Sequence, residues 1–190
     1  MDSVASAWIA RWAHLIAAGG TVLDVAAGSG RHARWLAARG HRVLAVDRDA
    51  PALESMASER GIDTLHADLE DGSPWPLSGR TFDAVVVTNY LHRPLFGALV
   101  ASLAPGGVLL YETFAAGNAS VGKPSNPAFL LAPGELLEAV REPLRVIGYE
   151  DGFLDDPRPA YVQRICAVRE ADRLTIGNTP PGPPRYALHG

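Results

Sequence analysis

The chain has 190 residues, is 47% hydrophobic and 20% charged, and carries a formal charge of -4. That length and apolar content suit one domain with a core on both faces of a sheet, and no bias toward disorder marks the body of the chain. The negative balance excludes a broad electrostatic grip on nucleic acid, which needs several Lys or Arg on phosphates, and favours a small-molecule partner. Cys166 is the only cysteine, which excludes an internal disulfide and suits a reducing compartment. Arg11 and His14 interrupt the first apolar stretch, no basic segment precedes it, and no run reaches the ~20 apolar residues of a membrane span. A cytoplasmic protein without a membrane partner is therefore expected.

From the N-terminus, Val4, Trp8, Trp12, Leu15 and Ile16 recur at helical spacing until Gly19-Gly20 interrupts. This predicts a helix within residues 1–20, capped by Ser3, with its tryptophans packed on a sheet or roofing a ligand. Strand and helix then alternate: strand Val22–Ala27, helix Arg31–Arg39 closed by Gly40, strand Arg42–Asp47, helix Pro51–Arg60 capped by Asp49, and strand Ile62–Ala67. Asp68–Arg80 reads as a loop carrying Trp75. Strand Phe82–Thr88, helix Pro94–Leu103, a turn at Pro105-Gly106-Gly107 and strand Val108–Phe114 follow. Such alternation demands right-handed crossovers and a parallel sheet. Ala115–Pro133 lacks a clear period, and a loop of that length in a compact domain is expected to be functional, a candidate lid. Helix Gly134–Arg141 precedes strands Leu144–Tyr149 and Tyr161–Val168, which read as an antiparallel edge hairpin joined by DGFLDDPRP. The expectation is one domain over residues 1–176 and a proline-rich tail over 177–190, extended or mobile.

The stretch Val22–Ala33, VLDVAAGSGRHA, carries the chemistry. It is an apolar strand that ends in a Gly-rich turn and leads straight into a helix, the layout of a nucleotide-binding α/β site. Gly28 and Gly30 permit a sharp turn and a close approach of backbone to ligand. Asp47, at the tip of the second strand, can accept both ribose hydroxyls of an adenosine moiety. Gly28-x-Gly30-x-x-Ala33 with Asp47 also satisfies the degenerate dinucleotide fingerprint, which keeps a nicotinamide-dependent oxidoreductase open as an alternative.

With Asp24 four residues before Gly28, Asp68 after the run Ile62–Ala67, and LAPGGVLLYETF over Leu103–Phe114, the segment Thr21–Phe114 resembles the class I S-adenosylmethionine-dependent methyltransferases. Within that class the chain looks broadly similar to the tellurite-resistance methyltransferase group, without tellurite carried over as substrate. The resemblance implies a Rossmann-like three-layer α/β sandwich, whose mostly parallel seven-stranded sheet ends in an antiparallel edge hairpin. It implies S-adenosyl-L-methionine as cofactor and methyl transfer to a small-molecule acceptor by in-line displacement. Asp24 and the Gly28–Gly30 turn would hold the methionine part, Asp47 with Arg48 beside it the ribose, and Asp68 with the Leu69 backbone the adenine. Where the family has a glycine this chain has Ala26, which is expected to serve there with a negative φ. A non-catalytic S-adenosylmethionine-binding protein would carry the same motifs.

Thr88–Phe96, TNYLHRPLF, follows the fourth strand, where the family places residues that face the methyl group and the acceptor. Asn89 could hold the methionine amino group, and Tyr90 or His92 could orient or deprotonate an acceptor. Arg93 could bind an anionic substrate or pair with Glu112; Glu112 and Phe114 end the fifth strand and are candidate substrate contacts. His32 and Arg34, in the helix after the glycine turn, read as residues of a solvated face or as ligand contacts, the first at least as well supported as the second. The six histidines show no metal-ligand spacing, so no metal is expected. Neither a Gly-x-Ser-x-Gly elbow nor a lysine in the glycine turn is present, which removes hydrolase and NTPase readings.

Overall fold

The computed structural model describes residues 5–171 and 184–188. Its centre is a seven-stranded sheet in the order β3-β2-β1-β4-β5-β7-β6. Strands β1 (Thr21–Val25), β2 (Arg42–Asp47), β3 (Ile62–His66), β4 (Phe82–Thr88) and β5 (Leu103–Phe114) run parallel. β7 (Ala160–Val168) is antiparallel to β5, and β6 (Arg145–Leu154) is antiparallel to β7 at the edge. The central strands are buried along most of their length, the pattern of a sheet covered on both faces. α1 (Ala7–Trp12), α2 (Arg31–Ala37) and α3 (Ala50–Glu54) bury Trp8, Trp12, Leu36 and Leu53 on one face. α4 (Phe96–Ala101) and α5 (Glu135–Val140) bury Leu99, Leu136 and Val140 on the other. This is the three-layer sandwich the sequence predicts. Strand order reverses between β1 and β4, so the carboxyl ends of these two strands open the crevice where such sheets bind ligands.

Several elements differ from the sequence reading. The first helix is capped by Ser6, whose hydroxyl accepts from the Trp8 and Ile9 amides; Ser3 and Val4 lie outside the described residues. Trp8 and Trp12 are 2% exposed, and Trp8 Nε1 donates to the Ile165 carbonyl, so they pack on the sheet. Gly148 makes room for them, since a Cβ there would stand 2.5 Å from the Trp12 ring. β5 runs through Pro105-Gly106-Gly107 without a break, because the Gly106 amide donates to Arg169 O and the Arg169 amide to Gly107 O. β6 continues to Leu154, pairing with Ala160, so the hairpin loop is shorter than DGFLDDPRP. Of the tail, residues 177–183 lie outside the described residues. Residues 184–188 lie against the start of β6, with Ala187 O 3.1 Å from His14 Nε2. Among the described residues no helix is long and apolar enough to cross a membrane.

Candidate active site

The turn between β1 and α2 is held by its own backbone: the Ala27 amide donates to Val46 O and the Gly30 amide to Ala27 O. Gly30 has φ +76, a backbone conformation that L side chains rarely adopt, and a Cβ on it would also lie 2.5 Å from the flexible end of Met56. Ala26 has φ +53, against the expectation of a negative value. The chain takes a left-handed turn with an alanine at this position, at a steric cost of about 1 kcal/mol. Ala26→Gly is therefore expected to raise unfolding free energy by about 1 kcal/mol in urea titrations, offset in part by the freedom glycine gives the unfolded chain; a clear loss would mean that the Ala26 methyl is needed for packing. Arg34, expected on a solvated face or at a ligand, fastens the outside of the turn. Its Nη1 donates to Ser29 O, its Nε to Glu59 at 2.5 Å and its Nη2 to Ser55 O at 3.0 Å.

Three acids stand at three neighbouring strand ends. Asp24, inside β1, is 1% exposed and its Oδ2 has no hydrogen-bond partner. Burial pushes its carboxyl up to about 7, against the pull of the Ala33 amide and the Arg31 charge; the Asp47 carboxylate adds a smaller push in the same direction. A buried, unpaired oxygen of this kind is costly to keep. Asp47 ends β2 and serves the turn itself: its Oδ2 accepts from the Gly28 amide at 2.7 Å and its Oδ1 from the Asp49 amide at 2.8 Å. Each oxygen keeps a second lone pair for a ligand hydroxyl. Asp68 follows β3 and shapes the next turn by accepting from the Glu70 amide. Asp47, Asp68, Ala26, Arg48, Leu69 and Tyr90 line one groove of about 440 Å³. Most of the residues named from sequence for the cofactor thus meet in one place, with Gly28 bonded to Asp47 at its rim.

The residues after β4 divide. Asn89 is exposed at the tip with φ +54, and its amide donates to Glu112 O. Tyr90 turns into the groove, and its hydroxyl has no partner at hydrogen-bond geometry. Burial, then the nearby Glu70 carboxylate, raises the phenol well above its usual range. A phenol so held stays protonated, which removes the expectation that Tyr90 deprotonates an acceptor. His92 is half-buried just before the 3-10 turn Arg93–Leu95. Arg93 does not pair with Glu112. Its Nε and Nη2 grip Glu135 at 2.5 and 2.9 Å, while Nη1 and Nη2 donate to Ala128 O and Leu130 O, so it is occupied by protein and not placed for an anionic substrate. The segment read as a lid is fastened by these bonds and by the Ala115–Leu131 bridge.

Glu112 instead faces Arg164 at 3.9 Å, and Arg164 also binds Glu150 at 2.5 Å. Phe114 is buried with Leu130, Ala160 and Val162, packed inside the protein. Sequence reasoning missed His32. It is 3% exposed, with Nε2 3.2 Å from the Ser6 amide and Nδ1 3.2 Å from Thr88 Oγ1. Among the described residues, no group of three or more His, Cys, Asp or Glu is placed to hold a metal.

A mostly parallel sheet with its order reversed at β1 and β4, a left-handed glycine turn and an acid at the tip of the adjacent strand make a Rossmann-like nucleotide-binding fold, here with an antiparallel edge hairpin. Residues 22–107 match the family described as "Methyltransferase domain". An uncharacterized methyltransferase of Mycobacterium tuberculosis is 39% identical over 101 residues, 49% of this chain and 50% of that protein. The chain spans about half the length of the curated relatives it matches. TehB from Haemophilus influenzae superposes with a TM-score of 0.68 at 18% identity, over 83% of this chain and 60% of that one. An S-adenosylmethionine dependent methyltransferase from Mesorhizobium loti gives 0.65 at 20% identity, over 86% and 99%. At these identities the two structures speak for the fold.

Proposed function

We propose that this chain transfers the methyl group of S-adenosylmethionine to a small-molecule acceptor. The observation that carries the reading is the groove itself. It joins the left-handed Ala26 turn to Asp47 and Asp68 at consecutive strand tips, above a buried Asp24 whose free oxygen lacks a partner. These residues fit the donor: Asp47 offers lone pairs to ribose hydroxyls, Asp68 and Leu69 form the wall for the adenine, and Asp24 with the turn faces the methionine end. The donor supplies a methyl group on a positive sulfur. An acceptor lone pair forms the new bond to carbon as the sulfur takes back its bonding pair, leaving S-adenosylhomocysteine. What the chain contributes is placement and exclusion of water. Tyr90 acts as a wall of the groove, and His92 is the remaining side chain suited to accept a proton when the acceptor carries one. The negative charge of the chain favours a small acceptor over nucleic acid.

A thermal shift comparison tests this. S-adenosylhomocysteine at about 100 times its Kd should stabilise the protein by about 2.7 kcal/mol, a rise of several degrees, while NAD and NADP leave it unchanged. Stabilisation by either nicotinamide nucleotide without an effect of S-adenosylhomocysteine would replace the reading with an oxidoreductase.

A further inference from the structure

The donor groove accounts for the acids but gives the buried His32 beside it no task. His32 is the second residue of α2, just past the glycine turn, yet it is 3% exposed. A buried imidazole must satisfy both ring nitrogens or lose stability. Here Nε2 meets the Ser6 amide and Nδ1 meets the Thr88 hydroxyl, each at 3.2 Å.

These partners fix the ring's chemistry. A backbone amide only donates, so Nε2 must present its lone pair to Ser6. Burial, then the Arg31 charge, lowers the imidazole to about 4, which leaves one proton on the ring near neutral pH. That proton therefore sits on Nδ1 and is donated to Thr88 Oγ1. The tautomer follows from the partners and involves no choice between equivalent forms.

The three residues also fix a place. Ser6 caps α1. Thr88 is the last residue of β4 and stands beside Asn89, whose left-handed backbone begins the tip that faces the groove. His32 is carried by the helix that the glycine turn starts. One ring thus ties together the start of α1, the tip of β4 and the donor turn.

We propose that His32 is a positioning residue of the donor site, a neutral clamp in its Nδ1-H form that holds the β4 tip and the first turn of α1 in register with the glycine turn. It acts through Thr88 and Ser6 and need not touch the donor. The inference rests on the reading of the groove as an S-adenosylmethionine site, and it adds the component that sets the distance between donor turn and acceptor-side tip. The ring's two arms are separable. His32→Asn keeps a donor near the Nδ1 position and loses Ser6; His32→Gln places an acceptor near the Nε2 position and loses Thr88.

The test uses the full chain, with S-adenosylhomocysteine as the probe, and has three readouts. Nitrogen NMR of the unliganded protein at pH 7 should place the His32 proton on Nδ1, the minor form of free imidazole. His32→Gln and Thr88→Val should each raise the calorimetric Kd for S-adenosylhomocysteine about 5- to 10-fold, the scale of one lost hydrogen bond, and the double variant should lose little more than either alone. His32→Asn, which keeps the Thr88 arm, should bind more tightly than His32→Gln. A proton on Nε2, independent effects of the two variants, or melting temperatures that fall while Kd stays constant would each overturn the proposal. If His32→Gln fails to fold, Thr88→Val and the NMR measurement decide. If the parent protein does not bind S-adenosylhomocysteine, the reading of the groove fails instead, and the tautomer with the melting-temperature coupling of His32 and Thr88 still judges the clamp.

Discussion

Asp47→Ala is expected to weaken S-adenosylhomocysteine binding by about 10- to 150-fold in calorimetry, the equivalent of the 1.5–3 kcal/mol carried by a hydrogen bond to a charged group. The carboxylate works twice. Its two oxygens take the Gly28 and Asp49 amides, which holds the glycine turn against the start of α3, and their remaining lone pairs face the groove. Alanine removes both roles together. Asp47→Asn separates them, because the amide oxygen still accepts one backbone N–H while the charge and the second acceptor are gone. It should fall between parent and alanine in affinity and close to the parent in melting temperature. Affinity in Asp47→Ala equal to the parent's would end the assignment of Asp47 to the ribose.

What the sequence made legible follows from the range of each interaction. Strands β2 and β4 have the ends read from the sequence, because their apolar runs are fixed by burial on both faces. Asp24, Asp47 and Asp68 were legible because an acid at the carboxyl end of a strand is a local pattern with one geometric meaning. Arg93 and Phe114 were misplaced for the opposite reason. Their partners, Glu135 and the cluster of Leu130, Ala160 and Val162, come from elements brought beside them only by the fold. His32 was read as a solvated residue or a ligand contact, not as a buried clamp, because nothing near it in sequence announces Ser6 or Thr88. Ala26 is a different case: the sequence argued from side-chain preference for a negative φ, but the turn is set by the Ala27–Val46 and Gly28–Asp47 bonds, which outweigh the cost of one left-handed alanine.

Asp24→Asn is expected to make the protein more stable and a poorer binder at once, with a dependence on pH that identifies the cause. In the folded chain Asp24 keeps its proton up to about pH 7, against 3.8 as its ordinary value, because burial penalises the charge. Across that window the folded state holds more protons than the unfolded one, so stability falls as pH rises, by up to about 4 kcal/mol. His32 has the opposite sign. Its folded value of about 4 lies below the ordinary 6.5, so the unfolded state holds more protons between these values and stability rises with pH by up to about 3 kcal/mol. Between about pH 4 and 6.5 the two slopes oppose each other, and the parent protein should show little net dependence from this pair. The asparagine variant removes only the Asp24 slope. Its unfolding free energy in urea should rise from pH 4.5 to 6.5, and its advantage over the parent should grow to a few kcal/mol by pH 8. Binding of S-adenosylhomocysteine at pH 8 should meanwhile weaken about 10-fold or more on the proposal that Asp24 faces the donor's ammonium, since that charge would be lost. An advantage that stays constant from pH 5 to 8 would mean that Asp24 does not titrate in this range. Unchanged affinity would mean that its burial serves the fold alone. Loss of affinity with gain of stability is the signature of a group kept charged, at a cost to the fold, for the ligand it meets.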